Sequence, residues 1–455
     1  MSTKSEFASK FGLVAATVGS AVGLGNVWRF PAEAQSNGGS AFLLLYIFCV
    51  ILLGIPVMLA EFSLGRGSKC DAIGSFAHLT PGKKWWIVGA VAVLASYLIL
   101  CYYMVVAGWT LEYLVESITG GLYEGTADVA SGNLEGVFSA KMGEYIGSDF
   151  RPLLYTFALI AINIGVLLGG VRGGIERLSN IMMPLLFVIL AVMCVVSLSL
   201  PNASEGVAFF LAPDFSKITA STVINALGQA FFSLSLGMGI LITFASYYPA
   251  DTRLTRTSVA VASSSLLVAI MMGLIIFPAV KSFNLDDQPL EGATLVFVTL
   301  PEIFARLPLA RLWSSLFFLL LFVAALTSSV SIAEVSIASL QDRLKWSRRK
   351  ATLIILLPLL VLSTLCSLSF GSLKDFTILG MTVFDLLDKF TTDVLLPLVS
   401  LGVCVYVGWF APKNLLRNQL TNNGALHSPM ASAFMFVIRY VAPLLIVMIF
   451  INNYI

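Results

Sequence analysis

Gly19-Ser20-Ala21-Val22-Gly23-Leu24-Gly25-Asn26-Val27-Trp28-Arg29-Phe30-Pro31 is the stretch whose reading decides the fold. It lies inside an apolar run, about residues 11–48, that is long enough to enter a bilayer. Within it, Gly19, Gly23 and Gly25 fall inside seven residues. Each costs a helix interior about 1 kcal/mol relative to alanine, so the cluster predicts a break. In hydrocarbon a broken helix persists only where protein or a cavity satisfies the freed N–H and C=O groups. Asn26 sets an amide beside the break and Arg29 a charge one turn further on. A charge inside a membrane marks function by default. The plainer reading is a glycine-rich face for helix packing.

Composition agrees with a membrane setting. Hydrophobic residues make up 58% of the 455 and charged residues 11%, against about 25% charged in soluble domains. A polytopic membrane protein follows. The net charge of +2 and the lack of a long basic tract give no sign of a nucleic-acid partner. Six scattered cysteines show neither metal spacing nor a disulfide framework. His78 and His427 fall in polar connections, which argues against a buried histidine relay. The opening residues lack the charged start and cleavage site of a secretory signal, so the first apolar run is expected to be kept.

Working outward at about 20 apolar residues per crossing, the chain divides into eleven spans. These cover about 11–34, 40–65, 85–117, 152–169, 175–200, 219–247, 257–280, 312–340, 351–371, 377–409 and 431–452. Of the 27 lysines and arginines, 17 fall on the N-terminal side, seven on the other, and Arg29, Lys389 and Arg439 are embedded. The excess predicts an N-terminus inside and a C-terminus outside. The sixth span repeats the feature of the first: Phe232-Ser233-Leu234-Ser235-Leu236-Gly237-Met238-Gly239 is again interrupted by glycine. Five spans per unit is an odd number of crossings, so a second unit starts from the opposite side. Paired interrupted helices in an inverted repeat point to a secondary transporter with its site at the midplane.

Other polar groups sit in apolar surroundings. Thr327, Ser328 and Ser329 of span eight share a face with Ala324 one turn earlier; interhelical hydrogen bonding is their ordinary role. Glu61 and Glu334 read as buried structural partners. Gly174 and Pro184 punctuate span five and suggest a segment that can unwind. Gly23-Leu24-Gly25 follows no strand and lacks the third glycine of a dinucleotide fingerprint. No nucleophile–base pair stands out, so the chain does not read as an enzyme. An intramembrane enzyme, or a channel (for which no repeated pore-lining motif is present), is the alternative class.

The quoted stretch closely resembles the first-helix signature of the neurotransmitter:sodium symporter family. Gly228-Gln229-Ala230-Phe231-Phe232-Ser233-Leu234-Ser235-Leu236-Gly237 resembles that of the sixth helix, and Leu326-Thr327-Ser328-Ser329 that of the eighth. The likeness is colinear from Lys4 to about Pro443 and is nearest to the family's bacterial amino-acid transporters, some of which have eleven helices. It implies an all-α integral membrane protein with the leucine-transporter fold. The whole chain, 1–455, is then one transporter domain: helices one to five over about 11–200, six to ten over about 219–409 and the eleventh over about 431–452. The implied function is sodium-coupled uptake of a zwitterionic, hydrophobic amino acid across the cell's inner (plasma) membrane. Chloride is a candidate co-ion, and a carrier of another small amine or osmolyte is the alternative.

The same resemblance implies a site. One sodium ion would take Ala21, Asn26, Ser233, Ser265 and the substrate carboxylate. A second would take Gly19, Val22, Ala324, Thr327 and Ser328. The substrate would lie among Ser20, Ala21, Gly23, Leu24, Gly25, Tyr103, Ser233 and Ser235, with Ile99, Phe232, Met238, Ser328 and Ile332 around its side chain. Arg29 and Asp388 would gate the outer path, and Lys4, Ser246, Tyr247 and Asp342 the inner one. Tyr46, Gln229, Ser233 and Ser265 could donate to chloride. Two departures stand out: Lys4 replaces the usual arginine, and Ser265 stands where relatives carry Asn or Asp.

Overall fold

The computed structural model describes residues 6–126, 134–285 and 292–452. Helix α1 is a bent pair, Lys10–Ala21 (α1a) and Gly25–Ser36 (α1b), turned through 56° at the glycine cluster. Four continuous helices follow: α2 (Ser40–Ser68), α3 (Trp86–Thr119), α4 (Arg151–Leu168) and α5 (Val171–Leu198). Helix α6 is broken again, into α6a (Ala220–Ser233) and α6b (Ile240–Ser246). Then come α7 (Leu254–Phe283), α8 (Ala310–Leu344), α9 (Arg348–Leu368), α10 (Val383–Phe410) and α11 (Ala431–Ile451). Nine of these are long and apolar enough to span a membrane unaided, and the bent α1 pair makes a tenth. Broken α6 completes the eleven that the sequence predicts. Shorter helices Leu134–Gly147, Ala203–Leu211 and Gly292–Ala305 fill the longer gaps.

One boundary differs from expectation. Span ten was expected from about 377, yet α10 begins at Val383, because Leu379 (φ 54°) and Gly380 (φ 77°) turn the chain between bridged Ile378 and Met381. Span five is not unwound here: a widened turn over Val171–Glu176 precedes Arg177–Leu198, which runs through Pro184 without stopping.

Helix α8 is the centre. Every residue from Val323 to Ser339 is buried, as befits a helix enclosed on all sides, and it packs on α3, α5 and α1a. Two of its hydroxyls are absorbed locally: Thr327 Oγ1 donates to Val323 O at 3.0 Å and Ser331 Oγ to Thr327 O at 2.8 Å. Elsewhere, backbone meets backbone. A Cβ on Gly65 of α2 would sit 1.9 Å from Ile242 O of α6b, and one on Gly54 would sit 2.4 Å from the Leu234 side chain. Outward-facing Phe48, Ile51, Val188 and Val195 are more than half exposed and offer an apolar girdle for lipid.

One end of the bundle is closed by the residues before α1a. Phe7 wedges edge-on against Phe244 and Tyr247, and its N–H donates to Tyr247 O at 3.2 Å. The Glu176 carboxylate accepts from Ala8 N at 2.8 Å, Ser9 N at 3.0 Å and Ser9 Oγ at 2.8 Å.

Candidate functional site: a cavity between two helix breaks

The breaks in α1 and α6 border a cavity of about 700 Å³. All thirteen residues expected around a substrate line it, from Ser20 and Gly23 at its base to Ile99, Tyr103, Phe232, Met238 and Ile332 on its walls. Glycine is required at two of them by space. A Cβ on Gly23 would lie 2.7 Å from Ser328 Oγ, and one on Gly25 2.3 Å from the Phe232 ring. The Tyr103 hydroxyl is buried without a well-formed hydrogen bond, although the Ser328 hydroxyl and the Leu24 backbone lie beside it. A polar group held dry without a partner is costly unless a ligand completes it.

Two groups of oxygens flank the base. In the first, Asn26 Nδ2 donates to Ser265 Oγ at 3.1 Å and, at 3.4 Å, to Ala21 O; Ser265 Oγ donates to Ser233 O at 3.1 Å. Asn26 Oδ1 is left buried and unpartnered. In the second, Ser328 Oγ reaches Gly19 O at 3.3 Å and Val22 O at 3.5 Å, and Thr327 Oγ1 reaches Ala324 O at 3.1 Å. Backbone carbonyls, an amide oxygen and hydroxyls suit a hard cation. Long bonds to Ala21, Gly19 and Val22, together with the orphaned Asn26 oxygen, fit an oxygen cage that a small cation would complete.

The four residues expected to hold chloride lie together, but their donors are engaged. Tyr46 OH donates to Ser233 Oγ at 2.8 Å, Ser233 Oγ to Ala230 O at 3.4 Å, Ser265 Oγ to Ser233 O, and Gln229 Nε2 to Gly25 O at 3.2 Å. The unpartnered atoms here are acceptors, Asn26 Oδ1 and Gln229 Oε1.

Past the breaks the cavity continues between Arg29 and Phe384 to Asp385, Asp388, Lys389 and Asp393. Arg29 lies 3.7 Å from Glu33 and 4.9 Å over the Phe232 ring, while Asp388 accepts from Thr392 at 3.4 Å. Arg29 and Asp388 form no ion pair, so this end stands open while the Phe7 end is shut. At the shut end Tyr247 OH donates to Glu334 at 2.7 Å, Ser246 Oγ to Thr243 O at 2.6 Å, and Asp342 accepts from Asp71 N at 2.8 Å. Lys4 lies outside the described residues.

Both buried acids have structural partners. Glu61 accepts from Gly237 N at 2.8 Å, and Glu334 pairs with Arg348 at 2.6 Å. Sequence reasoning missed the aromatic wall toward the open end, where Phe370 sits edge-on to Trp109 at 5.3 Å and to Phe384 at 4.9 Å. Their only signal was aromatic content, because Phe370 lies in a loop and joins no helical period.

A broken-helix bundle enclosing a central cavity with flanking oxygen cages is the architecture of a secondary transporter. The model of the sodium:neurotransmitter symporter family matches residues 4–131 and 145–455, and the chain belongs to that family. An uncharacterised sodium-dependent transporter of Haemophilus influenzae is 36% identical over 98% of this chain and 97% of its own length. An uncharacterised sodium-dependent transporter of Bacillus subtilis, YhdH, is 34% identical with the same coverage. Among solved structures, MhsT in complex with L-phenylalanine superposes with a TM-score of 0.88 at 39% identity, covering 99% of this chain and all of that one. The protein is therefore a multi-pass membrane transporter of a sodium-coupled family and not an enzyme.

Proposed function

We propose that the protein imports a zwitterionic amino acid with an apolar side chain, driven by two sodium ions, through alternating opening of the two ends of its cavity. The observation that carries this reading is the base of the cavity. There the Tyr103 hydroxyl lacks a well-formed partner, Gly23 carries no acidic side chain, and the walls at Ile99, Phe232, Met238 and Ile332 hold no charge. A substrate carboxylate fits beside Tyr103 and the Asn26 cage, completing the cage without a buried protein acid. Monoamine carriers of the family look to an aspartate at the Gly23 position; glycine here directs the substrate's own carboxylate to that role. A charged side chain among these walls would be buried without a partner, at high cost. The solved relative holds L-phenylalanine, which is zwitterionic and apolar.

In this reading the open end faces outward, the N-terminus lies in the cytoplasm, the C-terminus lies outside, and the plasma membrane is the host. The two breaks belong to inverted five-helix units of a single domain. Import proceeds as Arg29 swings from Glu33 toward Asp388 and the Phe7 plug is released. Chloride is the second reading, favoured by one observation: no acid lies between Asp251 and Asp286 to balance the buried positive charge.

Uptake into proteoliposomes across an amino-acid panel tests both. The expected order places leucine, methionine and aromatic amino acids far above lysine and glutamate, with uptake abolished when sodium is replaced. Sodium-driven uptake of dopamine or serotonin, with no amino acid moved, would overturn the substrate class. Gluconate in place of chloride decides the anion.

A further inference from the structure

Residues 343–350, Arg-Leu-Lys-Trp-Ser-Arg-Arg-Lys, join α8 to α9 and carry five cations in eight residues. Arg343, Lys345, Arg349 and Lys350 are exposed, and none of the four has a carboxylate within ion-pair distance among the described residues. Lys350 Nζ instead lies 4.3 Å over the Trp346 ring, and Leu344 beside them is 51% exposed. Cations flanking an indole and a bare leucine, at the point where two spans leave the bilayer, match the interface between head groups and acyl chains. The fifth cation faces inward. Arg348 Nε donates to Leu167 O at 2.8 Å, its Nη1 to Glu334 at 2.7 Å and to Gln341 at 3.3 Å. The same Glu334 accepts from Tyr247, whose carbonyl holds Phe7 N. A continuous set of polar contacts therefore runs from this loop to the plug that closes the end.

We propose that residues 343–350 form a binding site for the phosphate of an anionic phospholipid, and that Arg348 ties its occupancy to closure of the Phe7 end. The lipid phosphate is held by Arg343, Lys345, Arg349 and Lys350, with Trp346 and Leu344 against its glycerol and upper chains. Holding the loop holds Arg348, which keeps Glu334 on Tyr247 and so keeps the plug seated. The site needs no assumption about which solute is carried, so failure of the substrate reading leaves this one intact.

The test uses the full chain in nanodiscs of phosphatidylcholine with and without phosphatidylglycerol. Native mass spectrometry counts retained lipid, and hydrogen exchange at Phe7–Ser9 reads the plug. Expected results are selective retention of phosphatidylglycerol and slower exchange at Phe7–Ser9 when it is present. The combined variant Arg343→Gln, Lys345→Gln, Arg349→Gln and Lys350→Gln should lose at least about tenfold of that retention, since each cation near an anionic surface is worth roughly fivefold. It should also abolish the lipid effect on exchange. An Arg253→Gln, Arg256→Gln control, on another basic connection, should keep both. Equal loss in the control would mean general surface attraction and overturn the site. So would full retention in the combined variant, or displacement of the lipid by excess inorganic phosphate, which would make free phosphate the ligand. Unchanged exchange at Phe7–Ser9 despite lipid binding would overturn the coupling.

Discussion

At the break in α1 two residues leave the helix, Val22 and Gly23, whereas at the break in α6 six do, from Leu234 to Gly239. The longer break is the better satisfied. Gly237 N donates to Glu61, Ser96 Oγ to Met238 O, and Thr243 N to Gly239 O, while Ser235 N turns back on Phe232 O at 3.1 Å. The shorter break is met by Ser235 Oγ to Ser20 O at 2.8 Å and Asn26 N to Gly23 O at 3.2 Å, and otherwise by longer side-chain contacts, 3.3 to 3.5 Å, at Gly19 O, Ala21 O and Val22 O. Helices α2 and α3 thus finish the α6 break with protein atoms. The α1 break is left for ligands to finish, which is where the sodium cages are proposed. The α6 break is closed mostly by protein atoms while the α1 break keeps unsatisfied oxygens, although the same glycine signal produced both.

That difference can be broken by mutation. The largest effect is expected from Asn26→Ala, which removes the orphaned oxygen. Sodium affinity should fall by more than the roughly 10- to 100-fold that a supporting residue costs, read as sodium-dependent substrate binding. Stability in sodium-free buffer should hardly change. Sodium should also raise the wild-type melting temperature, by the equivalent of about 2.7 kcal/mol at a hundredfold excess over Kd, and less in the variant.

Glu61→Ala should do the reverse. It strands the Gly237 N–H in a buried site, at about 1–3 kcal/mol, so the melting temperature should drop with or without sodium. Glu61→Gln keeps an acceptor there and should recover most of the loss. A drop seen only with sodium would mean that the α6 break is ligand-finished too.

A smaller effect sharpens the comparison at the one bond joining the breaks, Ser235 Oγ to Ser20 O at 2.8 Å. Ser235 holds φ at 53°, a left-handed conformation costing a non-glycine residue roughly 1–2 kcal/mol. Ser235→Ala loses the bond and keeps the strain, whereas Ser235→Gly relieves the strain that offsets the lost bond. The glycine variant should therefore melt within about 1 kcal/mol of wild type, and above the alanine variant.

Much of this was legible before any coordinates. Glycine spacing marked both breaks, because a helix tolerates such clusters only where something else uses the freed backbone. Thr327, Ser328 and Ser329 of α8, one turn past Ala324, marked the face that meets α1. What the sequence could not carry was state. Arg29 sits beside Glu33 and forms no ion pair with Asp388, an arrangement that under the proposed alternating access is one of two encoded by the same sequence. Nor could it show the Trp109–Phe370–Phe384 wall, which depends on a loop folding back, or the engagement of the Gln229 and Ser265 donors, which only distances reveal.

The contact between α2 and α6 has a mechanical consequence. Gly65 meets the Ile242 carbonyl, Gly54 meets Leu234, and Glu61 grips Gly237 between them. With no side-chain cushion at Gly65 and a hydrogen bond in the middle, α2 lies as a splint directly along the α6 break. Torque applied to α6b is passed to a rigid rod of 29 residues, about 44 Å long at 1.5 Å per residue. A few degrees of tilt at the joint becomes ångströms of travel at the rod's far end. The glycines make the joint; the neighbouring helix gives it leverage.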